Sequence, residues 1–134
     1  MTIEAATIGM LLGEPTLVAI VGDRVWPMAR PQGSALPAVV VTRISGNPEY
    51  AADGEGGIES GRVQIDAYGV SYTEAHSVAD AIRTAVSARA DLDIGPDHVL
   101  WSEIIYERDA REGGAKQAEY VFRRQTDIDV WLRS

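Results

Sequence analysis

The placement of proline and glycine between residues 22 and 44 constrains this fold more than any other sequence feature. Pro27 and Pro31 each lack the backbone N–H that a central strand must donate to its neighbour, so both exclude a central strand there. The peptide Arg24–Trp26 is therefore predicted to be a short edge strand. It should run into an extended crossing, because no helical or strand pattern follows it directly.

Four further segments carry strand patterns. Pro37 is acceptable as the first residue of a strand, and the β-branched run behind it predicts a strand over residues 38–45. Ile58–Gly69 alternates apolar and polar side chains with a period of two, which predicts a strand with one buried face. Leu100–Arg108 is predicted to be a strand because it contains Trp101, Ile104, Ile105 and Tyr106, and Tyr120–Leu132 because apolar and polar residues alternate from Asp127 to Leu132.

Helical patterns precede and separate these strands. Apolar residues near one face predict an N-terminal helix, and Pro15 suits the first turn of a second short helix. Ser71 and Glu74 have the spacing of a capping box, and a continuous apolar stripe follows to Val86. This helix should fray near Ala90. The order of elements predicts an α+β fold, a mainly antiparallel sheet with an N-terminal helix and one long helix packed on one face.

Composition limits the classes of function. The chain has 134 residues and no cysteine, so residues 1–134 suit a single domain without disulfides or thiolate metal sites. Its formal net charge of -8 argues against ordinary binding to phosphate backbones, although DNA could slide past such a surface without sticking. No apolar run approaches the roughly 20 residues that span a bilayer, so no membrane partner is predicted.

Candidate catalytic groups are sparse. His76 and His98 are the two histidines, and neither has a second imidazole or a glutamate at zinc-motif spacing. The acidic, glycine-rich run Asp53–Glu59 lacks the alternating ligands and the closing glutamate of an EF-hand loop. We therefore predict no catalytic residue, no cofactor-binding residue, no cofactor and no metal ligand.

Two polar, glycine-containing stretches and the last strand are the remaining features. Residues 46–57 and 109–118 are predicted to be long loops, which in compact domains are usually functional or mobile. Asp127 and Asp129 should share one face of the last strand with Trp131, a pattern typical of a solvated or partner-facing surface. Trp101 is predicted to cover the core or a sheet edge.

Five segments together form a wider pattern. They are Leu17–Val21 with Gly22-Asp-Arg-Val-Trp-Pro27, Pro31-Gln-Gly33, Pro37-Ala-Val-Val-Val-Thr-Arg-Ile-Ser-Gly46, Gly61-Arg-Val-Gln-Ile-Asp-Ala-Tyr68 and Tyr72-Thr-Glu-Ala-His-Ser-Val-Ala-Asp-Ala-Ile-Arg83. In order and spacing, the pattern resembles the tail-completion proteins of long-tailed phages and gene transfer agents, a family that includes tail terminators and tail-to-head joining proteins. The C-terminal strands match this family only in type.

The resemblance implies a structural virion protein and no enzyme. Such proteins form a hexameric ring on the head-proximal end of the tail tube, which ends polymerisation and provides a docking surface for the head connector. The implied partners are further copies of the chain, the major tail tube protein and the head connector or stopper protein, while DNA passes through the lumen without specific binding. The implied locations are the virion tail and, during assembly, the host cytoplasm.

Interface residues follow from the two predicted loops and the last strand, which we expect to contact the tube or neighbouring rings. They are Asn47, Glu49, Tyr50, Asp53, Glu55, Arg111, Glu112, Lys116 and Trp131.

Other functions remain open at this point. A head-side neck adaptor would have the same scale and shape. A small dimeric ligand-binding or regulatory domain would have an apolar pocket between the sheet and the helix Tyr72–Ala90. A metal-assisted hydrolase around His76 and His98 would hold a metal ion.

Overall fold

A computed structural model describes residues 2–51, 54–113 and 120–133, with the backbone alone at 47–51 and 54–56. The helices are α1 (Ile3–Leu12), α2 (Pro15–Val21) and α3 (Tyr72–Val86), and the strands are β1 (Val25–Pro27), β2 (Ala38–Ala51), β3 (Gly54–Gly69), β4 (Arg89–Ile94), β5 (Asp97–Glu112) and β6 (Val121–Arg133). The sheet has the order β1-β2-β3-β6-β5-β4, and only β1 and β2 are parallel among its pairs. The predicted α+β class with a mainly antiparallel sheet is confirmed.

All three helices cover the same face of this sheet. Alternate residues of β3 and β6 point toward the helices, and the apolar stripe of α3 packs on them. The buried set includes Ile3, Met10, Leu11, Val39, Val41, Val63, Ile65, Val78, Ile82, Val86, Ile128, Val130 and Leu132. Burying such side chains stabilises the fold by about 1.5–3 kcal/mol each, so this layer is the core.

The helix starts follow the predicted signals. Pro15 is the first residue of α2. The hydroxyl of Ser71 accepts a hydrogen bond of 3.1 Å from the N–H of Glu74, as expected of an N-cap. The carboxylate of Glu74 reaches one residue further back than predicted and accepts from the N–H of Val70 at 3.0 Å.

The edge strand is confirmed. β1 pairs in parallel with Val39–Val41 of β2, at one end of the sheet order. Two parallel strands need a crossover connection. Residues 28–37 provide it, and the part from Met28 to Gly33 crosses over the face of the sheet that the helices leave free.

The described part of the first predicted loop, residues 46–51 and 54–57, is strand, while residues 52 and 53 lie outside the described residues. These strand residues extend the hairpin, with Asn47 opposite Ser60 and Ala51 opposite Gly54. Pro48 lies in the part of β2 beyond its pairing with β1, next to an irregularity in the register with β3. A proline is tolerated there because the ladder does not need its N–H.

The second predicted loop is also partly strand. Residues 109–112 belong to β5, opposite Val121–Arg124 of β6, while residues 114–119 lie outside the described part. Helix α3 ends at Val86, before the predicted frayed end at Ala90. The next residues form β4, a strand that the sequence analysis did not predict. The positive φ of 51° at Ala88 turns the chain from the helix into this strand.

The β2–β3 hairpin projects beyond the rest of the sheet. Ile58 is the first β3 residue that pairs with β6, opposite Arg133, so residues 47–51 and 54–57 form a two-stranded ribbon. We call this ribbon the arm. Among the described residues, no third strand pairs with it. An isolated two-stranded ribbon is marginally stable in water, which makes the arm a segment that gains from a partner.

Within the described ranges, no single helix is long and apolar enough to cross a membrane. The pair α1 and α2 has the necessary length and composition only when taken together, and the two helices are bent by 86° at their junction.

Gly61 provides a test of the contact between α1 and the bulged part of the sheet. A Cβ built on Gly61 would press on the carbonyl oxygen of Ser45 and lie 2.7 Å from both the Gly46 Cα and the Ile3 Cδ1. Because two of these atoms are backbone, Gly61→Ala should lower the free energy of unfolding by about 1–3 kcal/mol. Urea unfolding measures the loss, with Ser60→Ala as the matched control. Equal unfolding midpoints for the two variants would contradict the prediction.

Candidate assembly surfaces

The helix-free face of the sheet carries most of the described polar side chains of the central strands. Because side chains alternate along a strand, the residues between the core positions of β3 and β6 point to this face. They include Arg62, Gln64, Asp66 and Tyr68 of β3 and Arg123, Gln125, Asp127, Asp129 and Trp131 of β6. The strands β5 and β2 add Trp101, Glu103, Tyr106, Val40 and Thr42.

One end of this face is aromatic and acidic. Trp101 lies directly opposite Trp131, and Glu103 lies opposite Asp129. Trp101 is 36% exposed and Tyr106 is 44% exposed. Of the two roles predicted for Trp101, cover of the core is wrong, because its strand places it on the face that no helix covers; its other neighbour across the sheet is Ala90 of the edge strand β4. The indole N–H of Trp101 donates to the Glu103 carboxylate at 3.1 Å. Exposed aromatic residues with few internal partners are typical of protein interfaces.

Asp127 is not the exposed residue that the sequence predicted. It is 2% exposed and is held by Arg62, whose Nε and Nη2 lie 2.9 Å and 2.5 Å from the Asp127 Oδ2. Gln125 donates to the other carboxylate oxygen at 3.1 Å. The prediction failed because only the sheet register brings Arg62 across from β3. Asp129, two residues on, keeps partial exposure.

Burial raises the pKa of Asp129 above its ordinary value, with the neighbouring Glu103 carboxylate as a second cause. Arg62 acts in the opposite direction but is already engaged by Asp127. The two carboxylates Glu103 and Asp129 therefore leave a local excess of negative charge beside the tryptophan pair.

The other end of the face contains a polar cavity of about 500 Å³. The crossing segment from Met28 to Gly33 forms its roof, and Thr42, Gln64, Asp66 and Arg123 lie on the sheet side. The guanidinium of Arg30 lies 5.3 Å from the centre of the Tyr68 ring. This cavity is not the apolar pocket that a ligand-binding domain would have between the sheet and α3, because it lies on the other side of the sheet.

Asp66 is a buried carboxylate that lines this cavity. Its residue is 4% exposed, and Gln64 donates to its Oδ2 at 2.8 Å. Its Oδ1 has no hydrogen-bond partner among the described residues and lies 3.9 Å from the Nε of Arg123. Burial is the largest influence and raises the pKa of Asp66, while the hydrogen bond from Gln64 opposes the change.

Both histidines are paired with carboxylates. The Nδ1 of His98 lies 2.7 Å from Asp93, and its Nε2 lies 3.2 Å from Asp91. The hydrogen bond to Asp93, followed by that to Asp91, raises the pKa of His98. His76 lies 3.5 Å from Asp80 one helical turn on. Within the described residues, no group of three or more potential ligands could hold a metal ion.

The predicted interface residues separate into three places. The arm contains four of them, of which the structure describes only the backbone: Asn47, Glu49, Tyr50 and Glu55. Two more, Asp53 and Lys116, lie outside the described residues. Arg111 and Glu112 are exposed on β5 but point to opposite faces, since Arg111 is opposite Phe122 and Glu112 is opposite Val121. Trp131 is half-buried on the helix-free face. The structure thus brings the residues together only within the arm.

Several residues of the helix-free face were missed by the sequence analysis. Tyr106, Glu103 and Trp101 belong to a strand with register shifts between Val99 and Trp101 and between Ile104 and Tyr106. These shifts break the period of two that would have assigned their faces. Arg62 could have been assigned to this face from the sequence, because the alternation of β3 already places its side chain on the face away from the core.

These features define the class of the fold, a two-layer α+β slab with a projecting arm and a partly uncovered sheet face. The chain belongs to the family of tail completion protein gp17, whose model matches residues 5–133. It is therefore a tail completion protein, a structural component of a virion tail. No curated protein sequence matches it.

The fold is similar to that of a solved chain in the "Virion of native gene transfer agent (GTA) particle". The two chains share 17% sequence identity, with a TM-score of 0.75 over 98% of this chain and 95% of the other. At this level of identity the likeness concerns the fold, which the two chains share over nearly their whole lengths.

The raised pKa of Asp66 predicts a pH-dependent effect of Asp66→Asn. A carboxyl group whose folded pKa lies above its unfolded pKa destabilises the fold when it is ionised in both states. That penalty is fully present near pH 7 and disappears as the pH falls through the folded pKa and then the unfolded pKa. The free energy of unfolding gained by Asp66→Asn should therefore be largest at pH 7 and shrink toward pH 4, as measured by urea unfolding. A gain that is constant over this range would contradict it.

The pair of Arg62 and Asp127 predicts a coupled effect on stability. Arg62→Leu leaves the buried Asp127 carboxylate without its cation and should lower the free energy of unfolding by about 1–3 kcal/mol. Adding Asp127→Asn to that variant should restore part of the loss, because the unpaired charge is removed. A double-mutant cycle by chemical denaturation measures the coupling. Additive effects of the two substitutions would show that the pair is not coupled.

Proposed function

We propose that this tail completion protein closes the head-proximal end of the tail tube as a hexameric ring. In this role it ends polymerisation of the tube and presents a docking surface to the head connector. Its partners are further copies of the chain, the major tail tube protein and the connector or stopper protein. The whole chain acts as a single domain, first in the host cytoplasm and then in the virion, and carries out no reaction.

The observation that supports this proposal best is the arm. Its backbone projects past Arg133 of β6 with unpaired strand edges on both sides among the described residues. Unpaired edges accept another strand, and a ribbon that is marginal alone is stabilised when a neighbour pairs with it. An arm of this kind suits contact with the tube or with a neighbouring ring.

Charge supports the passage of DNA. The net charge of -8 gives a ring of six copies a strongly acidic total surface. DNA phosphates are repelled by such a surface, so a lumen of this protein would conduct DNA without holding it.

Shortening the arm tests the proposal. Replacing residues 49–58 by Asn-Gly keeps the pairing of Pro48 with Glu59 and supplies a two-residue turn. We expect the variant to fold but to produce overlong or headless tails in negative-stain images of particles. A second variant, with alanine at Asn47, Glu49, Tyr50 and Glu55, keeps the ribbon length and should give the same defect if these side chains make the contact.

Three outcomes separate the possible roles. Overlong or headless tails without the protein support termination, whereas empty, leaking heads with tails of normal length would assign it to the head-side neck. Tails of normal length joined to filled heads, in the presence of either arm variant, would contradict the assigned contact of the arm.

A further inference from the structure

Among the described residues, two aromatic surfaces are not covered by another element, and the first is the end of the helix-free face near Trp131. We call it the acidic aromatic surface, and its residues are Trp101, Glu103, Tyr106, Asp129 and Trp131. The tryptophans and Tyr106 offer broad apolar area, and Glu103 and Asp129 supply negative charge. In the described ranges, three arginines border this surface on the same face. Arg62 is already bound by Asp127 and lies 5.9 Å from the centre of the Tyr106 ring, while Arg108 and Arg133 lie two residues beyond Tyr106 and Trp131.

A second surface lies on the helix side, at the other end of the strands. We call it the basic aromatic surface, and its residues are Val70, Tyr72, Arg111, Tyr120 and Phe122. Val70 is 63% exposed and Tyr72 is 53% exposed, although both are large and apolar in part. The guanidinium of Arg111 lies 4.2 Å from the centre of the Tyr120 ring, and the Phe122 ring contacts Tyr120 edge-on.

Arg111 gives this second surface a positive charge. The other arginines near it on the helix side are neutralised: Arg124 of β6 lies 2.6 Å from Asp109, and Arg83 of α3 binds Glu107. In the part of the chain that the structure describes, no ion pair joins Arg111 to a carboxylate. A guanidinium stacked on an aromatic ring remains free to bind a carboxylate along its edge.

The two surfaces occupy opposite faces of one sheet. Trp131 and Phe122 both belong to β6, whose pairing with β3 is continuous, and they are nine positions apart. An odd separation places their side chains on opposite sides of the sheet. A contact between two different surfaces of identical copies is heterologous, and such contacts generate rings when the rotation closes.

We propose that the acidic aromatic surface of one copy docks on the basic aromatic surface of the next copy, and that this contact joins subunits around the ring. The occupant is thus a second copy of this chain, with Glu103 and Asp129 facing the partner's Arg111 between the two sets of aromatic rings. Aromatic anchors flanked by complementary charges are the composition of interface hot spots. This inference rests on the proposed ring and specifies which faces of the subunit build it.

Cross-linking in particles tests the contact directly, because the chain has no cysteine of its own. The double variant Glu103→Cys with Arg111→Cys should give a ladder of covalent oligomers with a short bifunctional thiol reagent. Each single-cysteine variant should give none, since a heterologous contact does not bring like residues together. Asp23→Cys with Arg111→Cys is the matched control, because Asp23 is exposed in the turn after α2 and outside both surfaces.

Charge exchange tests the same contact without cross-linking. It therefore also works if the cysteine variants do not enter particles. Glu103→Arg and Arg111→Glu should each raise the concentration at which rings form, in sedimentation velocity, by at least about tenfold. The double variant should recover assembly, because the charges are then exchanged but again complementary.

An equimolar mixture of the acidic-surface variant Trp131→Ala and the basic-surface variant Tyr72→Ala should stop at heterodimers. In each heterodimer the two intact surfaces are used, and only the two substituted surfaces remain free. Met28→Ala, which removes an exposed apolar side chain elsewhere, is the control.

The outcomes separate this contact from the proposed function. A cross-linked ladder together with recovery in the charge-exchanged double variant supports the contact. Efficient cross-linking of Glu103→Cys alone, or ring formation unaffected by the charge reversals, overturns it while leaving the ring role in place. Particles that contain the cysteine variant yet give no ladder also overturn it. Tails of normal length in particles without the protein would instead contradict the function.

Discussion

The structure depends on the one-sided apolar alternation of the two central strands. In residues 63–67 of β3 and 128–132 of β6 every second residue is apolar, and these residues include Val63, Ile65, Ile128 and Val130. Because side chains alternate, all of this apolar surface falls on one face, and three helices are needed to remove it from water. The same periodicity assigns most of the charged residues of these two strands to the other face. A two-layer slab with chemically different sides follows.

The polar side of the slab is only partly completed within the subunit. The crossing from Met28 to Gly33 covers one end and makes a cavity around Asp66, while Arg62 reaches across the strands to bind Asp127. Buried carboxylates are tolerated only where donors reach them, so these contacts restrict how the crossing and the strands can sit. The tryptophan end of the face has no comparable cover among the described residues. It is the part of the slab that a neighbour can complete.

A protein that completes a tail acts through shape and repeated contacts, and the described residues fit such a role. The histidines bind their own carboxylates, and the described side chains form no metal-binding group. What the subunit offers is a projecting arm, two aromatic surfaces on opposite faces and an acidic overall charge. In the proposed ring, each of these features acts when copies or partners meet.

Much of the slab could be predicted from local patterns. Prolines identified the edge strand β1, the Ser71 cap located the start of α3, and period-two alternation located β3 and β6. Glycine and polar residues led to the wrong prediction at residues 46–51 and 54–57, because pairing between the two strands overrode their low strand propensity. The strand β4 was missed for a related reason: six residues with mixed character form a strand only because β5 lies beside them.

The amino-acid sequence by itself determined the class of fold, the face that is buried and the absence of cysteine chemistry, since periodicity and composition act locally along the chain. Only the tertiary structure decided that Arg62 binds Asp127, that Asp66 lies under the crossing and that Trp101 lies opposite Trp131. These contacts join residues far apart in sequence through the register of the strands. Register depends on bulges and on the whole set of neighbouring strands, so no single segment could specify it.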